Sequence, residues 1–171
     1  MKVEVIVLDD TQLIELAALV LQQRDGNAQV LETVMHIPTE AILANQAALL
    51  PKQREQLRYL FTDYEWMLAQ KLAVMQATTP EAGSLAERYQ AAKTLIAKEW
   101  LKLPNLTTSY VKQPRGGDEV IVHLQLRQDY GVHGLVDILD FVVPTKVAKQ
   151  LQTKQLDLLT WAHEQLDAPE K

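Results

Sequence analysis

The sequence predicts an α+β fold, a small antiparallel sheet packed against several amphipathic helices. Three observations carry that reading. Residues 105–143 hold alternating apolar and polar runs broken twice by turn-forming clusters, the pattern of a three-stranded meander. Residues 39–103 repeat apolar positions at helical spacing between proline and capping signals. Residues 1–37 read as strand, helix, strand, so that N-terminal strands extend the sheet or pack beside it. The whole, 1–171, is expected to be a single domain: a 1–37 strand–helix–strand unit, a 39–103 helical segment, a 105–143 β-meander and a 145–167 C-terminal helix.

Taken in order, Lys2 to Leu8 alternates and then turns wholly apolar, as a half-buried strand does. Asp9 and Asp10 open a helix, where a carboxylate caps free amides and meets the positive end of the dipole. Leu13, Ala17, Val20 and Leu21 are its stripe, and Asp25-Gly26-Asn27 stops it. Val30 to Ile37 reads as a second strand. Thr39 caps a helix running to about Leu50, and Pro51 restarts the chain. A long stripe follows: Leu57, Leu60, Phe61, Tyr64, Met67, Leu68, Leu72 and Met75. The capping box Thr62-Asp63-Tyr64-Glu65 marks a break within it. A second box, Ser84-Leu85-Ala86-Glu87, opens a helix with Leu85, Tyr89, Ala92, Ile96, Trp100 and Leu103 on one face, ended by Pro104. After Pro144-Thr145 the last helix carries Val147, Leu151, Leu158, Ala162 and Leu166. Lys154 and Gln155 interrupt it, and a frayed tail, 167–171, follows.

Two turns set the register expected of the meander. Gln128-Asp129-Tyr130-Gly131 fits a three-residue hairpin loop, which places Leu124 opposite Val136, Val122 opposite Ile138 and His123 opposite Asp137. A loop at Gln113–Gly117 sets Tyr110 against Val120, Thr108 against Val122 and Thr107 against His123. One face then becomes apolar: Leu106, Thr108, Tyr110, Val120, Val122, Leu124, Leu126, Val136 and Ile138. The other face carries Thr107, His123, Arg127, His133 and Asp137 among Leu135, Leu139 and Phe141.

The row Thr107, His123, Asp137 is where chemistry is most plausible. A hydroxyl, an imidazole and a carboxylate in line suggest a hydrolase, yet a mid-strand threonine has neither a tight turn nor oxyanion donors beside it. The candidate binding residues are Thr107, His123, Asp137, Arg127 and His133, with Arg115 on the preceding loop. No histidine pair has metal-ligand spacing, so no metal site is expected. No glycine-rich phosphate loop or nucleophile elbow is present, so no cofactor is expected.

The segment Ile6-Val7-Leu8-Asp9-Asp10-Thr11 resembles the opening motif of the haloacid-dehalogenase phosphatases, an apolar strand followed by Asp-x-Asp-x-Thr. The nucleophilic aspartate of that family falls here at Val7 or Leu8, and helix capping accounts for Asp9 and Asp10 instead.

A net charge of −5 disfavours general affinity for nucleic acid or anionic membrane. With no cysteine, thiolate chemistry and disulfides are excluded. The N-terminus lacks the long apolar core of a signal peptide, and no run is long enough to cross a bilayer. The expectation is a small cytoplasmic protein of non-catalytic character, a protein-binding or regulatory module. Its partner is another protein or itself, with Leu139 and Phe141 buried in a homodimer or under residues 1–37. A winged-helix-like DNA-binding regulator is the alternative: helices from Thr39 onward precede a strand, a wing at Lys112–Gly117 and a second strand, with Arg88, Lys93, Lys98 and Lys102 on the helix before it. A hydrolase built on the Thr107 row is the third reading.

Overall fold

A computed structural model describes residues 8–25, 29–78, 83–116, 119–155 and 157–162. The strand expected before Leu8 and the tail after Ala162 lie outside the described residues. The chain divides into two compact units, Met1–Tyr89 and Gln90–Lys171.

The first unit is helical among its described residues: α1 (Asp10–Asp25), α2 (Val30–Thr33), α3 (Thr39–Leu43), α4 (Pro51–Arg58), α5 (Asp63–Thr78) and the start of α6 (Leu85–Trp100). Its core gathers Leu13, Ile14, Ala17 and Leu21 of α1 with Leu31, Ile37, Ile42, Leu49 and Leu57. Phe61 meets Tyr89 edge-to-face at 5.9 Å and tilts against Trp66, a packing that aromatic quadrupoles favour.

Local polar signals set most helix starts. Asp9 Oδ1 accepts from Gln12 N at 2.7 Å while Gln12 Oε1 accepts from Asp9 N, a reciprocal box at the head of α1. Thr62 and Glu65 do the same for α5 at 3.1 and 3.0 Å, so the long apolar stripe breaks where its capping box stands. Ser84 Oγ accepts from Glu87 N to open α6. Asp10 differs from its neighbour. It reaches across to α4, pairing with Arg54 at 2.6 Å and accepting from Leu49 N, while Arg54 also donates to the Leu8 carbonyl. The second aspartate is therefore a tertiary clamp and not a second cap.

The strand expected over Val30–Ile37 is a helical turn instead. Thr33 N donates to Gln29 O and Val34 N to Val30 O, and the Thr33 hydroxyl also bonds Gln29 O. Leu31 and Ile37 are buried while Thr33, which a strand would place on their face, is exposed like Val34, so the side chains do not alternate as a strand requires. His36, at φ 57°, reverses the chain so that Ile37 N closes on Leu31 O. The helix expected from Thr39 to Leu50 stops at Leu43, where Asn45 takes φ 60°.

In the second unit the sheet is β1 (Leu106–Gly116), β2 (Glu119–Asp129) and β3 (Val136–Val143), antiparallel in the order β1-β2-β3, so among the described residues β2 is central and β1 and β3 are edges. α7 (Thr145–Gln152) packs on β2, and α8 (Leu158–Trp161) starts only beyond Lys154, φ 61°, so the single helix expected over 145–167 is broken where its apolar stripe is interrupted.

The expected register is wrong in both hairpins, with different consequences. Tyr110 faces Leu124 and not Val120, a slip of four residues, because β1 and β2 stay paired through Pro114, which stands opposite Val120. Proline is tolerated there because β1 is an edge strand and a bulge follows. An even slip leaves the two faces unchanged, so Val122, Leu124 and Leu126 are buried as expected. In the second hairpin Leu124 faces Phe141 and not Val136, a slip of five. The odd slip turns β3 over. Leu139, Phe141 and Val143 join Leu124 and Leu126 on the buried face, while Val136 and Ile138 move to the face of His123. The cause is the loop. Asp129 Oδ1 does accept from Gly131 N, but His133 and Gly134 also take positive φ, and the loop closes only when Tyr130 N reaches Leu135 O.

Leu139 and Phe141 are buried within one chain. Trp161 meets the Phe141 ring edge-on at 6.0 Å, and the Lys93 ammonium lies 4.5 Å from its centroid. The Phe141 contacts come from α8 and α6, within the second unit, and the burial of both residues is reached in a single chain.

Candidate functional site

The register decides which polar groups meet. His123 stands mid-strand on β2, between Val111 of β1 and Val142 of β3. Its carboxylate partner is Asp140, two residues along β3 from Val142 and opposite Gln125. His123 Nδ1 donates to Asp140 Oδ1 at 2.7 Å, and Gln125 Nε2 donates to Asp140 Oδ2 at 3.1 Å. On the other side His123 Nε2 lies 2.7 Å from Gln113 Oε1. The imidazole and carboxylate side chains are only 13% and 21% exposed, so the pair is held largely out of water.

Burial by itself would raise the Asp140 carboxyl. Hydrogen bonds and charge from His123, the Gln125 amide and the Lys93 ammonium outweigh it, and the group sits below its ordinary range. Lys93, buried on α6, also donates to the Asp140 carbonyl.

Both nitrogens of His123 are engaged. With the Gln113 oxygen facing the ring, both nitrogens donate, which is the hydrogen-bonding pattern of an imidazolium; with that amide turned over, Nε2 accepts and the neutral ring fits equally. Each ring nitrogen thus has a partner inside the cluster. No serine or threonine hydroxyl is bonded to the ring.

The row Thr107, His123, Asp137 is not assembled. Thr107 stands opposite Arg127 and is exposed. Asp137 pairs with Gln128 and accepts the Tyr130 hydroxyl at 2.8 Å. The odd slip of β3 has exchanged Asp137 for Asp140. His133 sits in the β2–β3 loop at φ 51°, apart from His123, and the Arg115 side chain lies outside the described residues. Asp140, Gln113 and Gln125 were not singled out from the sequence. The usable signal was the alternation Leu139, Phe141, Val143, which puts Asp140 on the polar side. It competes with an equally apolar Val136 and Ile138.

Other candidates are weaker. Lys93, expected on a basic helix face, is 6% exposed, and Lys102 pairs with Glu99 of its own helix. A hollow of about 520 Å³ beside α3 is lined by Glu32, Pro38, Glu40, Ala41, Ala44 and Gln46, with Glu32 and Glu40 its charged groups. Among the described residues no three His, Asp or Glu side chains are placed to share a metal ion, and no helix is long and apolar enough to cross a membrane.

β1 has a different character. Thr107 and Val111 are exposed on one face and Thr108 and Lys112 on the other, and among the described residues β2 is its only strand neighbour. Every second residue of an edge strand directs its N–H and C=O away from the sheet. Compared with known protein families, curated proteins and solved structures, the chain matches none.

Proposed function

We propose that this protein is a non-catalytic binding module that takes an added strand from another polypeptide along the open edge of β1. The observation that carries this is the exposure of Thr107 and Val111 on one face of β1 and of Thr108 and Lys112 on the other. Added strands gain affinity from main-chain hydrogen bonds and specificity from alternate side chains. The mutual satisfaction of His123, Asp140, Gln113 and Gln125 agrees with a structural role for the polar cluster, which stiffens the sheet behind that edge. A regulatory role in the cytoplasm belongs to the same proposal.

A photo-crosslinking amino acid at Thr108, compared with one at the equally exposed Val34, tests it in the cells that make the protein. The expected result is a defined crosslinked polypeptide, the same chain or another, from position 108 alone. Equal or absent crosslinking at both positions overturns the reading.

A further inference from the structure

We infer that the strand added to β1 is β1 of a second copy, paired antiparallel about a two-fold axis at Ser109. The inference rests on the open-edge reading and names its partner.

The sequence of the edge limits the geometry. Pro104 and Pro114 bracket it, and each lacks the N–H that a ladder needs. A bulge between Pro114 and Gly116 closes the far end. Ser109 is the midpoint between the two prolines. Pairing about Ser109 uses the whole available stretch and sets proline against proline where the ladder must end.

Hydrogen bonding agrees. Outward-facing backbone groups recur at every second residue, so two identical strands pair only where both partners have the same parity. A centre on a residue meets that condition, and a centre between residues does not. The side chains then match. Thr107 falls opposite Val111 of the second copy, and Thr108 opposite Tyr110 of the second copy. β-branched and aromatic cross-strand pairs of this kind are favourable.

Charge permits the contact. Lys112 is the one charged side chain from Leu106 to Gln113. The antiparallel arrangement puts it opposite Leu106, and the two copies of Lys112 stand six residues apart along the ladder, roughly 20 Å, beyond a physiological Debye length of ~8 Å. Between Leu106 and Gln113 the edge has no proline or bulge, and Lys112 is its one protective charge. A ladder of this length belongs to the small class of interfaces, under about 1,200 Å², so the dimer should be a dynamic one with a micromolar Kd.

The natural absence of cysteine makes the test clean. Ser109→Cys places two thiols on the axis, at a Cα separation of about 4.5–5.5 Å that a disulfide accepts. Mild oxidation should crosslink Ser109→Cys to a dimer at least tenfold faster than Val34→Cys, which is exposed in the other unit. Sedimentation velocity of the unaltered protein should show a reversible monomer–dimer equilibrium in the micromolar range. The pair Thr107→Lys with Val111→Lys sets like charges opposite each other on exposed positions, and should abolish the dimer with an unchanged circular dichroism spectrum. A chain that stays monomeric to several hundred micromolar overturns the second-copy inference, as does equal crosslinking of the two cysteine variants. If Thr108 then crosslinks a different polypeptide in cells, the open-edge reading stands while the self-pairing one falls.

Discussion

Asp140 accepts from His123 and Gln125 while its own backbone carbonyl takes the Lys93 ammonium. Its carboxyl is held below the ordinary range, so its contribution to stability is full above the unfolded-state carboxylate value and is lost as pH falls through the lower folded-state value. Asp140→Asn should therefore destabilise the protein by about 2 kcal/mol at neutral pH, the scale of a hydrogen bond to a charged group. Urea midpoints measured from pH 7 downward should show variant and wild type converging in acid. Lys93→Met leaves the Asp140 carbonyl without this donor and should cost about 1–3 kcal/mol, whereas Leu95→Lys, at an exposed position two residues on, should be near neutral. Such pairs were illegible in the sequence. A lysine on an apolar stripe reads as a solvated interruption until the acceptor that draws it inward, forty-seven residues away, is known.

At the scale of elements, the strongest sequence signals were those whose donors and acceptors lie within one turn. The boxes Asp9–Gln12, Thr62–Glu65 and Ser84–Glu87 each mark a helix start because a short side chain there satisfies a backbone N–H in any tertiary context. Thr62→Ala should cost about 1 kcal/mol in chemical denaturation, with loss of helical signal confined to the first turn of α5. The β2–β3 hairpin shows the opposite case. Asp129, Tyr130 and Gly131 do begin a turn, but Val132 and Leu135 are exposed loop residues that look like strand. Register depends on where such a loop closes, and one residue either way exchanges the faces of β3. The helical stripes were legible; the choice between Asp137 and Asp140 was not, because it follows from that closure.

At the scale of the whole molecule, the sheet has, among the described residues, one strand with neighbours on both sides and two with a neighbour on one. Amide hydrogen exchange should rank them accordingly within the Gln90–Lys171 unit. The amides of β2 should be slowest, and those of β1 should alternate, every second one exchanging quickly at low protein concentration. If the edge pairs with a second copy, the fast set should slow as concentration rises while β2 stays unchanged. Uniform protection along β1 in a dilute monomer would show that the edge is already covered. The α+β class was readable from 105–143 and the stripes of 39–103, but the N-terminal strands were not. Val30–Ile37 has β-branched residues, yet its backbone satisfies itself locally through Gln29 and Val30.

The buried lysine has a practical meaning for the chemist. An amine reagent in the surrounding solution finds Lys112 at once, but Lys93 only when the chain opens. Its acylation rate, read by mass spectrometry after a timed pulse, is a built-in clock for excursions out of the native state. It needs no engineered probe, and in crowded extracts it reports on the folded fraction of this one chain.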